Sequence, residues 1–115
     1  MVQILPRNVR KRSTAATLTT VSAVYYTCPV GYNTQINRII LSNGSNSNQN
    51  ATLSWYNKED NTTYTIIDAI NLAGNSATNF DFDLHMGSED RLEAFTAAGI
   101  SVTVLFSYDE EYLGG

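Results

Sequence analysis

From Asn79 to Leu84 every second residue is apolar: Phe80, Phe82 and Leu84 alternate with Asn79, Asp81 and Asp83. A period of two is what a strand with one buried face requires, and it is incompatible with a helical stripe. The same signal, carried by β-branched residues, recurs over residues 17–26, 34–41, 51–56, 63–68, 91–96 and 100–108. Between these runs lie turn residues. Pro29 and Gly31 break the chain after the first, Asn43-Gly44 sits in a polar stretch, Lys58 to Asn61 makes a charged turn, and Gly87 and Gly99 follow later. Proline cannot donate a ladder hydrogen bond, and glycine and asparagine accept the backbone conformations that tight turns demand. About seven to eight strands with turns every 8–12 residues predict an antiparallel β-sandwich or jelly roll.

Several local readings follow from the same pattern. Ala51, Leu53 and Trp55 share a phase, so Trp55 reads as core. Residues 69–75 read as a loose link, and residues 92–98 are the one stretch where a short helix is conceivable. Asp109, Glu110 and Glu111 read as a solvated end. No repeat of solenoid or propeller length is present, and no apolar run approaches the roughly 20 residues of a membrane-spanning helix. The polar run after the basic start does not resemble a secretory leader.

The chain has 115 residues, enough for one domain with a real but modest core. Charged residues make up 16%, below the roughly 25% of an average soluble domain. Asn, Ser and Thr take their place, which suits strand surfaces, turns and wet contacts. The charge is unevenly placed. Arg7, Arg10, Lys11 and Arg12 precede Ser13, and no acid occurs before Glu59. Residues 1–15 are therefore expected to form an extended basic arm, with Val2, Ile4, Leu5 and Val9 as apolar handles, ahead of a sandwich domain over residues 16–115. A basic tail on an acidic body points to contact with something outside that body.

Catalytic chemistry finds little support. Cys28 is the one cysteine and His85 the one histidine. A lone cysteine beside Pro29 reads as a small buried apolar residue, and no multi-thiolate or multi-histidine metal set can be assembled. Asp81 and Asp83 would stand about 7 Å apart on one strand face, but alternation alone places polar residues there. Asp68, Glu89 and Asp90 lie near turns without calcium-loop spacing. Phosphate-loop, dinucleotide and nucleophile-elbow motifs are absent. The expectation is a protein that is not an enzyme, with no cofactor and no metal. Nucleic acid is disfavoured, because stacking platforms need basic residues interleaved with aromatic ones. Here the basic residues lie in the tail and the seven tyrosines in the acidic body. Tyrosines suit half-buried strand faces and protein interfaces, which makes Tyr25 and Tyr26 candidate partner-binding residues beside Arg7, Arg10, Lys11 and Arg12.

Two stretches carry a resemblance. Residues 24–43 read VYYTCPVGYNTQINRIILSN, and residues 84–94 read LHMGSEDRLEA. The first is similar to a "y-T-x-P-x-G" turn followed by a strand ending in "S/N-N". The second is similar to an "L-x-x-G-D-x-L-x-a" hairpin, with Ser88-Glu89 inserted between the Gly and the Asp. Together they resemble small β-sandwich virion proteins of tailed bacteriophages, of the capsid cement (decoration) kind, over roughly residues 17–108. The resemblance implies a subunit on the capsid surface, made in the bacterial host cytoplasm. It implies binding to the major capsid protein, self-association as a homo-dimer or homo-trimer, and an arm reaching a neighbour. No membrane is implied. A tail, neck or fibre-adaptor component fits the same pattern. A reading of another class is a carbohydrate-binding module that uses Trp55 and surface tyrosines as a stacking platform.

Overall fold

In a computed structural model, which describes residues 9–113, the chain forms eight strands. They are β1 (Val9–Thr17), β2 (Ala23–Thr27), β3 (Tyr32–Asn43), β4 (Gln49–Asn57), β5 (Thr62–Leu72), β6 (Ser76–Met86), β7 (Arg91–Thr96) and β8 (Val102–Tyr112). Two four-stranded antiparallel sheets face each other, sheet A in the order β1-β8-β3-β6 and sheet B in the order β2-β7-β4-β5. The pairs β1–β8, β3–β6, β2–β7 and β4–β5 are all hydrogen-bonded. The chain thus behaves as one long antiparallel ribbon, first half against second half, rolled so that successive pairs fall in alternate sheets. That is the jelly-roll arrangement.

Leu18, Ile36, Ile39, Leu41, Leu53, Leu72, Leu92, Val102, Val104 and Phe106 fill the space between the sheets and are fully buried. Burying each of these side chains stabilises the fold by roughly 1.5–3 kcal/mol, before entropy is counted. Strict alternation cannot place both Ile36 and Ile39 inside, since they are three residues apart. The register slips between Ile36 and Arg38 against both neighbouring strands, and this bulge returns Ile39 to the core. In β6 the expected alternation holds: Phe80, Phe82 and Leu84 pack against the core while Asp81 and Asp83 face out.

Two buried polar side chains tie the loops at the two ends of the sandwich. At one end the Asn43 amide donates to the carbonyls of Ser47 at 2.8 Å and Leu72 at 3.1 Å. Its oxygen accepts from Ser45 N at 3.0 Å and Ser101 Oγ at 3.2 Å. The loops are so close there that a Cβ on Gly74 would lie 2.6 Å from the Asn46 backbone. At the other end the Asp90 carboxylate accepts from Lys58 N at 2.8 Å, Gly87 N at 3.0 Å and Trp55 Nε1 at 3.1 Å. Its backbone carbonyl accepts from Cys28 N at 2.8 Å.

Two of the expectations are overturned here, the arm over residues 9–15 and the loose link, and two left open are decided. Residues 9–15 are not an extended arm but most of β1, paired with β8 throughout; Arg7 and the rest of residues 1–8 lie outside the described residues. Residues 17–26, which read as one strand or a pair, belong to two: Thr17 ends β1 and Ala23 begins β2, and residues 18–22 cross from sheet A to sheet B, with Leu18 buried at the crossing and its N–H held by Val102 O at 2.8 Å. The link 69–75 is largely strand: β5 runs on to Leu72 after bulges that leave Ala69 at a φ of 44°. The stretch 92–98 is strand to Thr96, because Leu92, Ala94 and Thr96 alternate inward with period two.

Candidate interaction surface

The basic residues of β1 and the acidic residues of β8 share one register. Arg10 stands opposite Glu110 and Lys11 opposite Asp109. Alternation puts Arg10 and Arg12 on the inner side of the sheet, in phase with Thr14 and Ala16, and Lys11 on the outer side. Arg10 Nε donates to Glu110 Oε1 at 2.7 Å, and Arg12 Nη1 stands 3.9 Å from the same oxygen. Lys11 Nζ lies 3.6 Å from Asp109 on the open face. The expectation that residues 109–111 form a solvated end is therefore wrong at its centre, since the Glu110 side chain is only 3% exposed.

Glu110 anchors a chain of polar contacts that runs into the sandwich. Its second oxygen accepts from the Tyr26 phenol at 2.5 Å. The Thr34 hydroxyl lies 2.6 Å from the phenol oxygen and 3.2 Å from Cys28 Sγ. Burial, reinforced by the Glu110 carboxylate, pushes the Tyr26 phenol well above its ordinary pKa. Burial likewise pushes the Cys28 thiol up, against a smaller opposing effect of the Thr34 hydroxyl. The hydrogen bond to Glu110 holds the Arg10 guanidinium more firmly protonated. Arg10 also lies over the Tyr32 ring at 4.8 Å.

Of the residues singled out in the sequence, Lys11 and Arg12 are open to solvent and Arg10 is partly occupied by Glu110. Tyr25 is half-buried. Tyr26 is turned inward and has little surface left for a partner. Trp55 packs against the core, its ring centroid 5.6 Å from that of Tyr64 and its N–H given to Asp90, so its face is not an open stacking platform. Cys28 is fully buried, whereas His85 lies on the open face of β6, 3.1 Å from Asp83. The two carboxylates of β6 differ in company: Asp81 faces Arg38 at 3.5 Å, and Asp83 accepts from Gln35 at 2.9 Å. Asp90 spends its oxygens on N–H donors, which is the opposite of what a cation site needs.

Glu110, Asp90 and Asn43 were not anticipated. The signal for Glu110 was present: it is in phase with Val102, Val104, Phe106 and Tyr108, all of them buried.

The outer face of sheet A has an uncharged half and a half that holds the charged side chains Lys11, Asp109, Arg38 and Asp81; the uncharged half is two rows deep. One row across it is Ala15, Leu105, Ile40 and Asn79; the next is Thr17, Thr103, Ser42 and Ala77. At one end of this face a groove of about 350 Å³ is lined by Gln35, His85, Asp109 and Glu111, among others. The uncharged half offers shape and hydrogen bonding, as protein–protein interfaces do.

No protein-family profile matches the chain, and no curated protein matches it. Solved structures do resemble it. A chain of the T13 IBDV viral particle superposes with a TM-score of 0.58 at 11% identity, over 90% of this chain and 31% of that one. This protein thus spans about a third of that viral chain. A chain from Bacillus endospore appendages, described as disulfide-linked pili, gives 0.57 at 13% identity over 99% of this chain and 96% of that one. A chain from the acid-stable capsid of the Helicobacter pylori bacteriophage KHP30 gives 0.56 at 13% identity, over 92% and 89%. At these identities the likeness is one of fold: the protein has a jelly-roll β-sandwich of the kind also found in viral capsid chains and in a spore appendage subunit.

Proposed function

We propose that this chain is a structural subunit of a tailed-phage virion: a capsid cement protein that stabilises the shell by bridging major capsid subunits, and not an enzyme. The observation that carries the reading is the meeting of the two stretches on which the sequence resemblance rests. Residues 24–43 supply β2, its turn and β3; residues 84–94 supply the end of β6, its turn and β7. The fold joins their turns directly, Cys28 N to Asp90 O and Glu89 N to Cys28 O, each at 2.8 Å. The resemblance therefore describes one contiguous piece of structure. The near full-length likeness to a phage capsid chain supports the same reading.

Cementing needs no catalytic group. A subunit that binds the assembled shell and not its loose components stabilises the shell by mass action, and many copies multiply weak contacts. The outer face of sheet A, with exposed Lys11 at its edge, is the surface offered to an acidic neighbour. The test is whether the protein copurifies with intact particles and in what number. Capsid-scale copy number and earlier heat disruption of particles lacking it are expected. Absence from purified particles overturns the reading.

A second reading is a fibre or tail component, favoured by a likeness to the spore appendage chain that covers almost all of both proteins. A disulfide link through Cys28 would require opening the fold, because that thiol is fully buried. Low copy number confined to tails or fibres would favour this alternative.

A further inference from the structure

Sheets A and B differ in how their edges are finished. In sheet B, β2 is only five residues long and bulged, and β5 carries two register shifts and the positive φ at Ala69. Short, bulged edges resist pairing with another chain. In sheet A, β1 pairs with β8 over nine residues without a register shift, and β6 keeps its inside–outside alternation over eleven residues, with a single register shift against β3 between Leu84 and Asp81. Neither strand has a neighbour on its outer side among the described residues. The two edges also carry opposite charge: Arg10, Lys11 and Arg12 on β1, Asp81 and Asp83 on β6.

We propose that copies of this chain join edge to edge, β1 of one against β6 of the next, so that sheet A continues through the junction. The inference concerns a second copy and does not depend on the virion reading. Three observations support it. Direction is the first. Sheet A has four strands, each antiparallel to its neighbour, so its two edges run in opposite senses. A second copy placed alongside in the same orientation brings β1 antiparallel to β6.

Level is the second. Rows across the sheet link Lys11 to Asp109, Gln35 and His85, and Ser13 to Ser107, Arg38 and Asp81; Asp83 lies between the last two rows. Lys11 of the added copy therefore arrives beside His85, Asp83 and Asp81 on the same outer face. The side chains of Lys11, Asp81 and Asp83 are 86%, 79% and 77% exposed, free to re-pair despite their present partners Asp109, Arg38 and Gln35.

Apolar cover is the third. On the inner face the rows place Arg12 level with Leu84 and Thr14 level with Phe80. Phe80, Phe82 and Leu84 are only partly buried at this open edge, with the two rings 6.4 Å apart. An added β1 would lay Thr14 and Ala16 beside them.

Charge also selects this pairing over the symmetric ones. Joining β1 to β1 sets Arg10, Lys11 and Arg12 against their own kind, and joining β6 to β6 does the same with Asp81 and Asp83; like charges directly opposed destabilise a strand pair. A β1-to-β6 contact is head-to-tail, and sheet twist rotates each copy against the last. The product is a ring if the rotation closes and a helical row if it does not.

The experiment is sedimentation velocity on the full chain over a range of concentration and salt. Concentration-dependent oligomers that weaken with salt are expected. Lys11→Glu alone, and Asp81→Lys with Asp83→Lys alone, should each weaken association by about tenfold or more. Thermal unfolding of each variant serves as the check that it is folded. An equal mixture of the two variants should recover assembly, because each junction between unlike copies again sets position 11 against positions 81 and 83 with opposite charge. A wild-type monomer at every concentration overturns the proposal. So does association that ignores both charge reversals, or a mixture that fails to recover.

Discussion

The Tyr26 phenol, on β2 of one sheet, donates to Glu110 Oε2, on β8 of the other, at 2.5 Å. This contact bridges the two sheets through a hydrogen bond to a buried carboxylate. Removing either partner leaves a polar group without its mate in a place water reaches poorly, at a cost of about 1–3 kcal/mol. Tyr26→Phe is therefore expected to destabilise by about 1–3 kcal/mol, and Glu110→Ala by about 2–4 kcal/mol because it removes the acceptor shared by Tyr26 and Arg10 and adds a cavity. The double variant should cost less than the sum. Urea unfolding of the three proteins gives the coupling directly. Lys11→Ala is the contrast: its pair with Asp109 is open to solvent, so little change is expected.

Alkaline pH should act through two buried groups. Both Cys28 and Tyr26 have folded pKa values raised above their ordinary values of 9.0 and 10.0, chiefly by burial. Once pH passes the unfolded value, the unfolded chain loses the proton while the folded chain keeps it, so stability falls as pH rises. Loss should begin near pH 9 from Cys28 and steepen near pH 10 from Tyr26, by up to about 1.4 kcal/mol per pH unit for each group. Cys28→Ala should remove the earlier onset and Tyr26→Phe the later one. Denaturant midpoints measured from pH 7 to 11 check both.

Cys28 should also be inert to thiol reagents in the folded protein. Its side chain is fully buried and its pKa is raised, and the thiolate is the reactive species. A chromogenic disulfide reagent is expected to label it at the rate of unfolding and at once in denaturant. Rapid labelling of the native protein would contradict the placement of Cys28.

Gly74 should tolerate no side chain. An added Cβ would meet the Asn46 backbone at 2.6 Å, and backbone cannot swing aside as a flexible side chain can. Gly74→Ala is expected to cost about 1–3 kcal/mol. Gly87→Ala, where a Cβ meets nothing within 4 Å, is the control, with a much smaller effect. Thermal melts of the pair suffice.

Asp90 organises the opposite end by accepting three N–H groups, from Lys58, Gly87 and Trp55. Asp90→Ala is expected to cost about 2–4 kcal/mol. It should also change the Trp55 fluorescence of the native state, since the indole loses its partner. Asp90→Asn keeps one carbonyl oxygen and should recover part of both effects.

Where one face of a strand is buried and the other wet, the residues announced it. Phe80, Phe82 and Leu84 against Asp81 and Asp83 marked β6, and Val102, Val104 and Phe106 marked β8. The Trp55 phase with Leu53 set that ring against the core. What stayed hidden follows from the same physics. In an edge strand such as β1, Arg10 and Arg12 can occupy the inner phase because their long side chains reach a buried acid, so the strand looks like a charged tail. In β5, bulges shift the phase near Ala69, and Ile66, Ile67, Ile70 and Leu72 no longer read as one alternating run. Glu110 had the right phase but the wrong chemistry for a core position until its partners Arg10 and Tyr26, about a whole chain away, were brought beside it.

The interleaving of the first and last strands has a bearing on how the protein is made. β8 lies between β1 and β3, so half of sheet A waits, unpaired in its middle, until β8 has been synthesised. Nearly every stabilising pairing joins distant parts of the polypeptide, which makes acquisition of the native state slow and leaves the early-born strands β1 and β3 sticky in the interim. The acidic run that completes β8 is then the closing stitch, its charges meeting the basic strand β1, which leaves the ribosome well before it.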